Sequence, residues 1–159
     1  MNEPAATAYR LTTQWCFDAP LDAVWNAILD VDDWAAWWPG VTSAPLVPGA
    51  THGLGSARRY ICRSVLPLRL IFVARITRVA PLRLIEGLVE GDLAGIGRCH
   101  FRHTRGQTTV RFDWQVHTTN PWLNRMGALV IPVLRWNHDR LMRNGGRGLA
   151  HYLPRRPHV

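Results

Sequence analysis

The sequence contains no lysine: all nineteen basic residues are arginine, and with eleven acidic residues the formal net charge is +8. It also lacks an apolar run near the roughly 18 residues that a membrane-spanning helix needs, because arginine or proline interrupts each long apolar stretch. The first ten residues do not place a basic segment before an apolar one, as an export signal does. The sequence therefore predicts neither a membrane-spanning nor an exported protein.

Cysteine is scarce. The three cysteines, Cys16, Cys62 and Cys99, are an odd number and indicate free thiols rather than a disulfide framework, so we expect a reducing, cytoplasmic location. A chain of 159 residues of which 47 % are hydrophobic is long enough to bury one core. We therefore predict one folded domain over residues 1–159.

Several motifs of catalysis and cofactor binding are missing. The sequence has no nucleophile elbow of the serine hydrolases, no Walker loop and no dinucleotide-binding glycine fingerprint. Cys99 and His103 share one face of a predicted strand, but no third ligand lies near them in the sequence. We therefore expect neither a bound metal nor a cofactor.

The arginines are unevenly distributed. Six of the eleven acidic residues precede residue 34, whereas eighteen arginines and five acidic residues follow residue 57. One interpretation is an anionic partner, nucleic acid or a membrane surface, because arginine pairs with phosphate. The other is a solvated surface on which arginine takes the place of lysine. No nucleic-acid-binding motif accompanies the charge, which disfavours nucleic acid and leaves peripheral membrane contact as an alternative.

The first fifty residues alternate between a strand and short helices. Residues 8–17 are rich in β-branched and aromatic side chains, which predicts a strand. Pro20 and Asp22 are typical of a helix start. A tryptophan-rich second helix is predicted over residues 31–38, ended by Pro39 and Gly40. Pro45, Pro48 and Gly49 then indicate a loop or a turn in a strand.

The middle of the chain, residues 56–118, predicts successive antiparallel hairpins. Five strand-like segments are separated by proline and glycine turns, and most alternate apolar residues with arginine. In the last of them Val110, Phe112 and Trp114 share one face. In the strand around Glu86 and Glu90 either parity is compatible with the pattern, so these carboxylates lie either inside the fold or on its surface.

The C-terminal segment predicts a long amphipathic helix from Asn120-Pro121, an N-cap followed by proline, to about Leu153. Pro132 predicts a kink or break. Glycines on the apolar stripe indicate close approach of the helix backbone to a sheet. The residues expected on that stripe are Met126, Val130, Val133, Leu134, Leu141, Gly145, Gly148 and Tyr152.

This order of elements predicts an α+β fold in which a curved antiparallel sheet wraps around the C-terminal helix, with two short helices after the first strand. One helix cannot fill the concave side of such a sheet. The sequence therefore predicts a cavity between the sheet and the helix, apolar with a few polar groups.

Short motifs near both ends resemble a known superfamily. They are Ala19-Pro20-x-x-x-Val24-Trp25, Trp34-x-x-Trp37-Trp38-Pro39-Gly40, Gly91-Asp92-Leu93-x-Gly95 and Asn137-His138-Asp139-x-Leu141-Met142-x-x-Gly145-Gly146-x-Gly148-Leu149. Over residues 8–153 the chain resembles the START/Bet v 1-like (SRPBCC) superfamily of helix-grip proteins, and within it the bacterial polyketide cyclase/dehydrase-like group. The resemblance implies a cavity for a lipid, sterol or polyketide-like ligand and supplies no shared catalytic residue.

We therefore expect a binding domain for a small hydrophobic or amphipathic ligand. The cavity wall is predicted to include Trp37, Trp38, Phe72, Phe112, Trp114 and Val133. The polar groups predicted to orient the ligand are Asn137, His138, Tyr60 and, for one parity of its strand, Glu86.

Two alternatives remain open. The first is a polyketide cyclase or dehydratase that uses His138 or Glu86 as its acid or base. The second is a basic peripheral module on an anionic membrane or nucleic acid. The sequence does not predict the oligomeric state.

Overall fold

The computed structural model of the chain describes residues 8–63 and 69–154. Seven strands, four α-helices and three 3₁₀ turns (Val31–Asp33, Thr51–Gly53 and Gly127–Leu129) follow in chain order. The strands and helices are β1 (Ala8–Phe17), α1 (Leu21–Leu29), α2 (Trp34–Trp37), β2 (Val41–Val47), β3 (Ala57–Arg63), β4 (Arg69–Ala80), β5 (Leu84–Gly91), β6 (Leu93–Thr104), β7 (Gln107–Thr118), α3 (Pro121–Met126) and α4 (Ile131–Tyr152).

The strands form one antiparallel sheet in the order β1-β7-β6-β5-β4-β3-β2. Strands β3 to β7 are consecutive neighbours, as hairpins require, and β1 closes against β7. The curved, open sheet with α4 against it confirms the predicted helix-grip fold. Among the described helices, none is long and apolar enough to cross a membrane.

The structure has strand β2 in part of the region where the prolines indicate a loop or a turn. It pairs only with β3, so it is an edge strand of the described sheet, and the pairing shifts register between Pro45 and Val47. Proline has no N–H to give to a sheet, and an edge strand with a bulge tolerates that loss. Turn signals alone therefore miss this strand.

The core lies between the concave face of the sheet and the helices. Helix α1 buries Val24, Trp25 and Ile28, the face that its spacing predicts. Helix α2 ends at Trp37, before Pro39. Trp15 of β1 makes edge-to-face contacts with Trp38 and Phe112, at centroid distances of 5.2 and 4.6 Å.

The predicted C-terminal helix is interrupted earlier than Pro132 indicates. Helix α3 begins as predicted, with the Asn120 side chain accepting a hydrogen bond from the Trp122 amide at 2.9 Å. It ends at Gly127, whose φ is +50°, and α4 starts at Ile131. Pro132 then lies in the first turn of α4, where its missing N–H costs no helical hydrogen bond. The break is therefore a glycine break, not a proline kink.

The glycines of α4 do permit close approach, but their partners are mainly tryptophans. A β-carbon on Gly145 would lie 2.5 Å from Trp38 Nε1, and one on Gly146 would lie 2.9 Å from Trp15 Nε1. A β-carbon on Gly148 would overlap the backbone carbonyl of Trp37. Only glycine lets α4 pack this closely on α2 and β1.

Candidate functional site

A cavity of about 200 Å³ lies between the concave face of the sheet and α4. An apolar cavity of about 150 Å³ admits a molecule the size of benzene. Leu123 of α3 contributes to one end of the cavity. The walls are Tyr9, Leu11, Trp34, Trp38, Val41, Tyr60, Cys62, Arg63, Leu70, Phe72, Ala74, Leu93, Phe112, Trp114, Val116, Thr118, Leu123, Leu134, Asn137, His138, Leu141 and Met142. We call this space the main cavity.

Three side chains bring unpaired polar atoms to this apolar space. Within the described part of the chain, the hydroxyl of Tyr9, Oδ1 of Asn137 and both ring nitrogens of His138 are buried without a hydrogen-bond partner. A buried polar atom without a partner costs about 1–3 kcal/mol. All three residues line the main cavity, but neighbouring groups cover these atoms, so a guest molecule with one polar group reaches them after a small movement of the side chains.

The His138 ring is held neutral by its surroundings. Burial lowers its pKa below the ordinary 6.5, and the neighbouring Asp139 carboxylate opposes that shift. Nδ1 lies 3.5 Å from Asp139 Oδ1, which is outside hydrogen-bond geometry. At neutral pH the imidazole therefore offers the cavity one donor and one acceptor.

Two other titratable groups on the wall stay protonated. Burial raises the pKa of Tyr60 to about 12, and burial raises that of Cys62 to about 12 as well. Neither side chain carries a charge at neutral pH. Within residues 8–63 and 69–154, no three histidine, cysteine or carboxylate side chains converge on a metal-binding point.

Aromatic side chains separate the main cavity from a second one. Trp34, Tyr60, Phe112 and Trp114, together with Ala74, line both spaces. Tyr60 packs 5.7 Å from Trp34, centroid to centroid. In this partition the Trp34 side chain is also held by a hydrogen bond from its Nε1 to the Ile28 carbonyl at 3.1 Å.

The second space, of about 310 Å³, lies between the sheet, α1 and the segment from Pro45 to Ser56. We call it the side cavity. Arg58 lines it, with Nη2 2.5 Å from Asp32 Oδ1 and 3.1 Å from Ser43 Oγ. The Arg58 Nε is buried and has no protein partner in the described residues. Both cavities therefore have arginine on their walls, Arg58 and Arg98 in the side cavity and Arg63 in the main cavity.

Most of the predicted ligand-contacting residues come together around the main cavity. Those on its wall are Trp38, Tyr60, Phe72, Phe112, Trp114, Asn137 and His138. Two others lie elsewhere. Trp37 is buried between Trp38 and Tyr152, away from the cavity. Val133 is 43% exposed, because it lies about 100° around α4 from Leu134, which faces the cavity.

The structure decides which face of β5 points inward, and the carboxylates of the strand lie on the other face, outside the cavity. Ile85, Gly87 and Val89 line the side cavity, so Glu86 and Glu90 face the other side of the sheet. There Glu86 Oε2 accepts a hydrogen bond from Arg98 Nε at 2.7 Å. The expectation of Glu86 as a ligand-orienting or catalytic group in the cavity is therefore wrong.

Tyr9 is a polar wall residue that the sequence reasoning missed. It lies on the same face of β1 as Leu11, Trp15 and Phe17, and the alternation along the strand carries that signal. The sequence does not say that this face of β1 reaches the cavity. The pairing of Tyr9 with Val116 of β7 places it there.

Comparison with known proteins gives a consistent picture. The family model described as polyketide cyclase/dehydrase and lipid transport matches residues 9–150. No curated protein sequence matches the chain. The chain is similar in structure to a START superfamily protein from Mycobacterium smegmatis, with 13% identity and a TM-score of 0.70 over 91% of this chain and 96% of that one.

Two other solved structures to which the chain is similar are those of enzymes. The Zhui aromatase/cyclase from Streptomyces sp. R1128 is 15% identical, with a TM-score of 0.69 over 92% of this chain and 93% of that one. Norcoclaurine synthase from Thalictrum flavum is 11% identical, with a TM-score of 0.63 over 98% of this chain and 93% of that one. At these identities the likeness shows the shared fold.

Proposed function

The chain belongs to the polyketide cyclase/dehydrase and lipid transport family, and from that premise we propose that it binds a small amphipathic molecule in the main cavity. The observation that carries the proposal is the pairing of an apolar wall with three unpaired polar side chains, Tyr9, Asn137 and His138. The ligand's apolar body contacts the aromatic wall, and its polar group bonds to these side chains.

The lining limits the chemistry of the ligand. Trp38, Phe112 and Trp114 offer flat apolar surfaces, which favour an aromatic or polycyclic body. Oδ1 of Asn137 accepts a hydrogen bond, and the neutral His138 ring accepts one and donates one. A hydroxyl or carbonyl at one end of the ligand fits these groups. A cationic end does not, because no described residue of the wall has a carboxylate to pair with it, whereas an anionic end has only Arg63 as a partner.

Two small probes that differ by one hydroxyl test the proposal. We expect naphthalene and 2-naphthol both to quench the tryptophans of the wall, and 2-naphthol to bind about fivefold more tightly through one net hydrogen bond of about 1 kcal/mol. In the double variant Asn137→Leu, His138→Leu the two affinities become equal. The matched control is Val133→Ala, a change on the outer face of the same helix. Absence of binding by the folded wild type contradicts the proposal.

A cyclase or dehydratase activity is the second candidate, and His138 is the observation that favours it. Its neutral ring lies on the cavity wall with Nε2 unpaired. The imidazole would take a proton from a methylene between two carbonyls of a poly-β-ketone, the enolate would attack a distant ketone of the same chain, and the proton would pass to the resulting alkoxide. Removal of the second methylene proton and its transfer to the new hydroxyl would then expel water and leave a carbon–carbon double bond. Confinement by the aromatic wall would fold the chain for that attack.

The two functions differ in their dependence on His138. For an enzyme, His138→Gln abolishes turnover of a poly-β-ketone substrate while the substrate still binds. For a binding protein, the substrate is recovered unchanged both from the wild type and from His138→Gln. Glu86→Gln serves as the control, because Glu86 faces away from the cavity and pairs with Arg98.

A further inference from the structure

The outer face of the α3–α4 segment carries large apolar side chains that no described residue covers. Leu129 is 81% exposed, Trp122 is 64% exposed and Trp136 is 49% exposed. Met126 and Val133 are also exposed on this face. We call these five residues the apolar cap. Exposed tryptophan and leucine in one contiguous segment mark an interaction surface.

The helical spacing places the apolar cap on one side of the segment. Val133 and Trp136 are three residues apart on one stripe at the start of α4, and Leu129 precedes them at the end of the 3₁₀ turn Gly127–Leu129. Leu134, Asn137 and His138 face the main cavity from the same turns. In α3, Trp122 points outward while its neighbour Leu123 lines the cavity. The apolar cap is therefore the outer surface of the segment that covers the cavity.

Arginines continue the stripe beyond the apolar cap. Arg140, Arg143 and Arg147 follow Trp136 at the same helical spacing, and the Arg140 guanidinium lies 5.8 Å from the centre of the Trp136 ring. Arg140 is one helical turn from Trp136, about 6 Å along the axis. Between residues 120 and 152 the sequence has five arginines and one acidic residue, Asp139.

From this juxtaposition we propose that the apolar cap and its flanking arginines dock the protein on a lipid bilayer that contains anionic lipids. The side chains of Trp122, Leu129 and Trp136 enter the interfacial region, where tryptophan and leucine are favoured. The arginines contact the phosphates of the headgroups. Docking places the α3–α4 cover of the main cavity against the source or destination of an apolar ligand.

A second copy of the chain is a poorer occupant of the same surface. A twofold-symmetric dimer brings each patch against itself, so Arg140, Arg143 and Arg147 of the two copies would face one another. Asp139 is the one carboxylate that this segment offers in return. An anionic bilayer neutralises the arginines and also accepts the apolar side chains.

Vesicle flotation tests the docking surface directly. We expect the wild type to float with vesicles of phosphatidylcholine and phosphatidylglycerol, 70:30, and not with pure phosphatidylcholine, and the bound fraction to fall between 0.05 and 0.5 M NaCl. Leu129→Ser lowers the partition coefficient about tenfold, because an exposed leucine no longer becomes buried in the bilayer. Arg140→Glu with Arg143→Glu removes the preference for the anionic vesicles.

The control variant is Leu88→Ser, which alters an exposed leucine on a central strand outside the α3–α4 segment and leaves flotation unchanged. All substituted side chains are exposed, and near-ultraviolet circular dichroism checks that each variant is folded. The proposal is overturned if the wild type stays with the sediment at low salt, or if Leu88→Ser and Leu129→Ser reduce flotation equally. It is also overturned if sedimentation velocity finds a dimer that Leu129→Ser dissociates while vesicles remain unbound.

Discussion

The indole N–H of Trp38 donates a hydrogen bond to the backbone carbonyl of Leu141 at 3.0 Å, which fastens α2 to the middle of α4. Trp38 lines the main cavity, and so does Leu141. The ring reaches this position because Gly145, one turn further along α4, has no side chain. The contact therefore fixes both the helix packing and one wall of the cavity.

Alanine at Gly145 or Gly148 tests this packing. Helix propensity alone predicts that each change stabilises α4 by about 1 kcal/mol. The structure predicts the opposite sign, a loss of about 1–3 kcal/mol, because the new β-carbon meets the Trp38 ring or the Trp37 carbonyl. Gly148→Ala is expected to cost more, since a backbone carbonyl cannot rotate away. Urea unfolding measures both, and a gain in stability contradicts the packing.

The buried His138 makes stability depend on pH. Its folded pKa lies below the unfolded value of about 6.5, so the unfolded chain binds more protons between these two pKa values. Stability is therefore full above pH 6.5 and declines as the pH falls through that window. In His138→Gln this contribution is absent. From pH 7.5 to pH 5 we expect the free energy of unfolding of the wild type to fall relative to that of His138→Gln. If the difference between the two proteins does not depend on pH, the burial of His138 is contradicted.

The three cysteines are expected to react at different rates with a thiol reagent. Cys16 is exposed, whereas burial raises the pKa of Cys62 to about 12 and raises that of Cys99 well above its usual range. At pH 8 the folded protein should therefore release one fast equivalent in a disulfide-exchange assay, and the unfolded protein three. Cys16→Ser removes the fast equivalent. Fast reaction of two thiols in that variant is incompatible with the structure.

The aromatic partition predicts a change in ligand size. Trp114→Ala removes a ring that lines both cavities, so the main and side cavities become continuous. We expect the variant to lose about 3–5 kcal/mol of stability and to bind a four-ring sterol or steroid more tightly than the wild type does. Trp122→Ala is the matched control, because that tryptophan is on the surface. If Trp114→Ala and Trp122→Ala change the affinity for the larger ligand equally, the aromatic partition between the two cavities is contradicted.

The sequence predicts the strands and the face of β7 well, because alternation along Val110, Phe112 and Trp114 reports local burial. It predicts Asn120 and Pro121 as a helix start for the same local reason. It misses β2, because Pro45 is a turn signal unless the strand is known to be at an edge. Edge position is a property of the whole sheet.

The candidate site shows the same limit. Asn137 and His138 stand out as polar residues on an apolar stripe, and both line the main cavity. Val133 lies at the edge of that stripe and is 43% exposed, because the sequence does not say how far around α4 the contact with the sheet extends. The sequence of β5 alone does not decide whether Glu86 points inward, because both faces of the strand carry leucine, isoleucine or valine. Pairing with β4 and β6 decides it.

A crystal structure of the protein soaked with 2-naphthol shows whether the main cavity takes a guest molecule. We expect the naphthalene ring system inside the main cavity, against Trp38 and Trp114, with its hydroxyl within hydrogen-bond distance of Asn137 or His138. The contrary result is a crystal in which side chains fill that space, or one in which the probe lies only on the surface while the interior holds no guest.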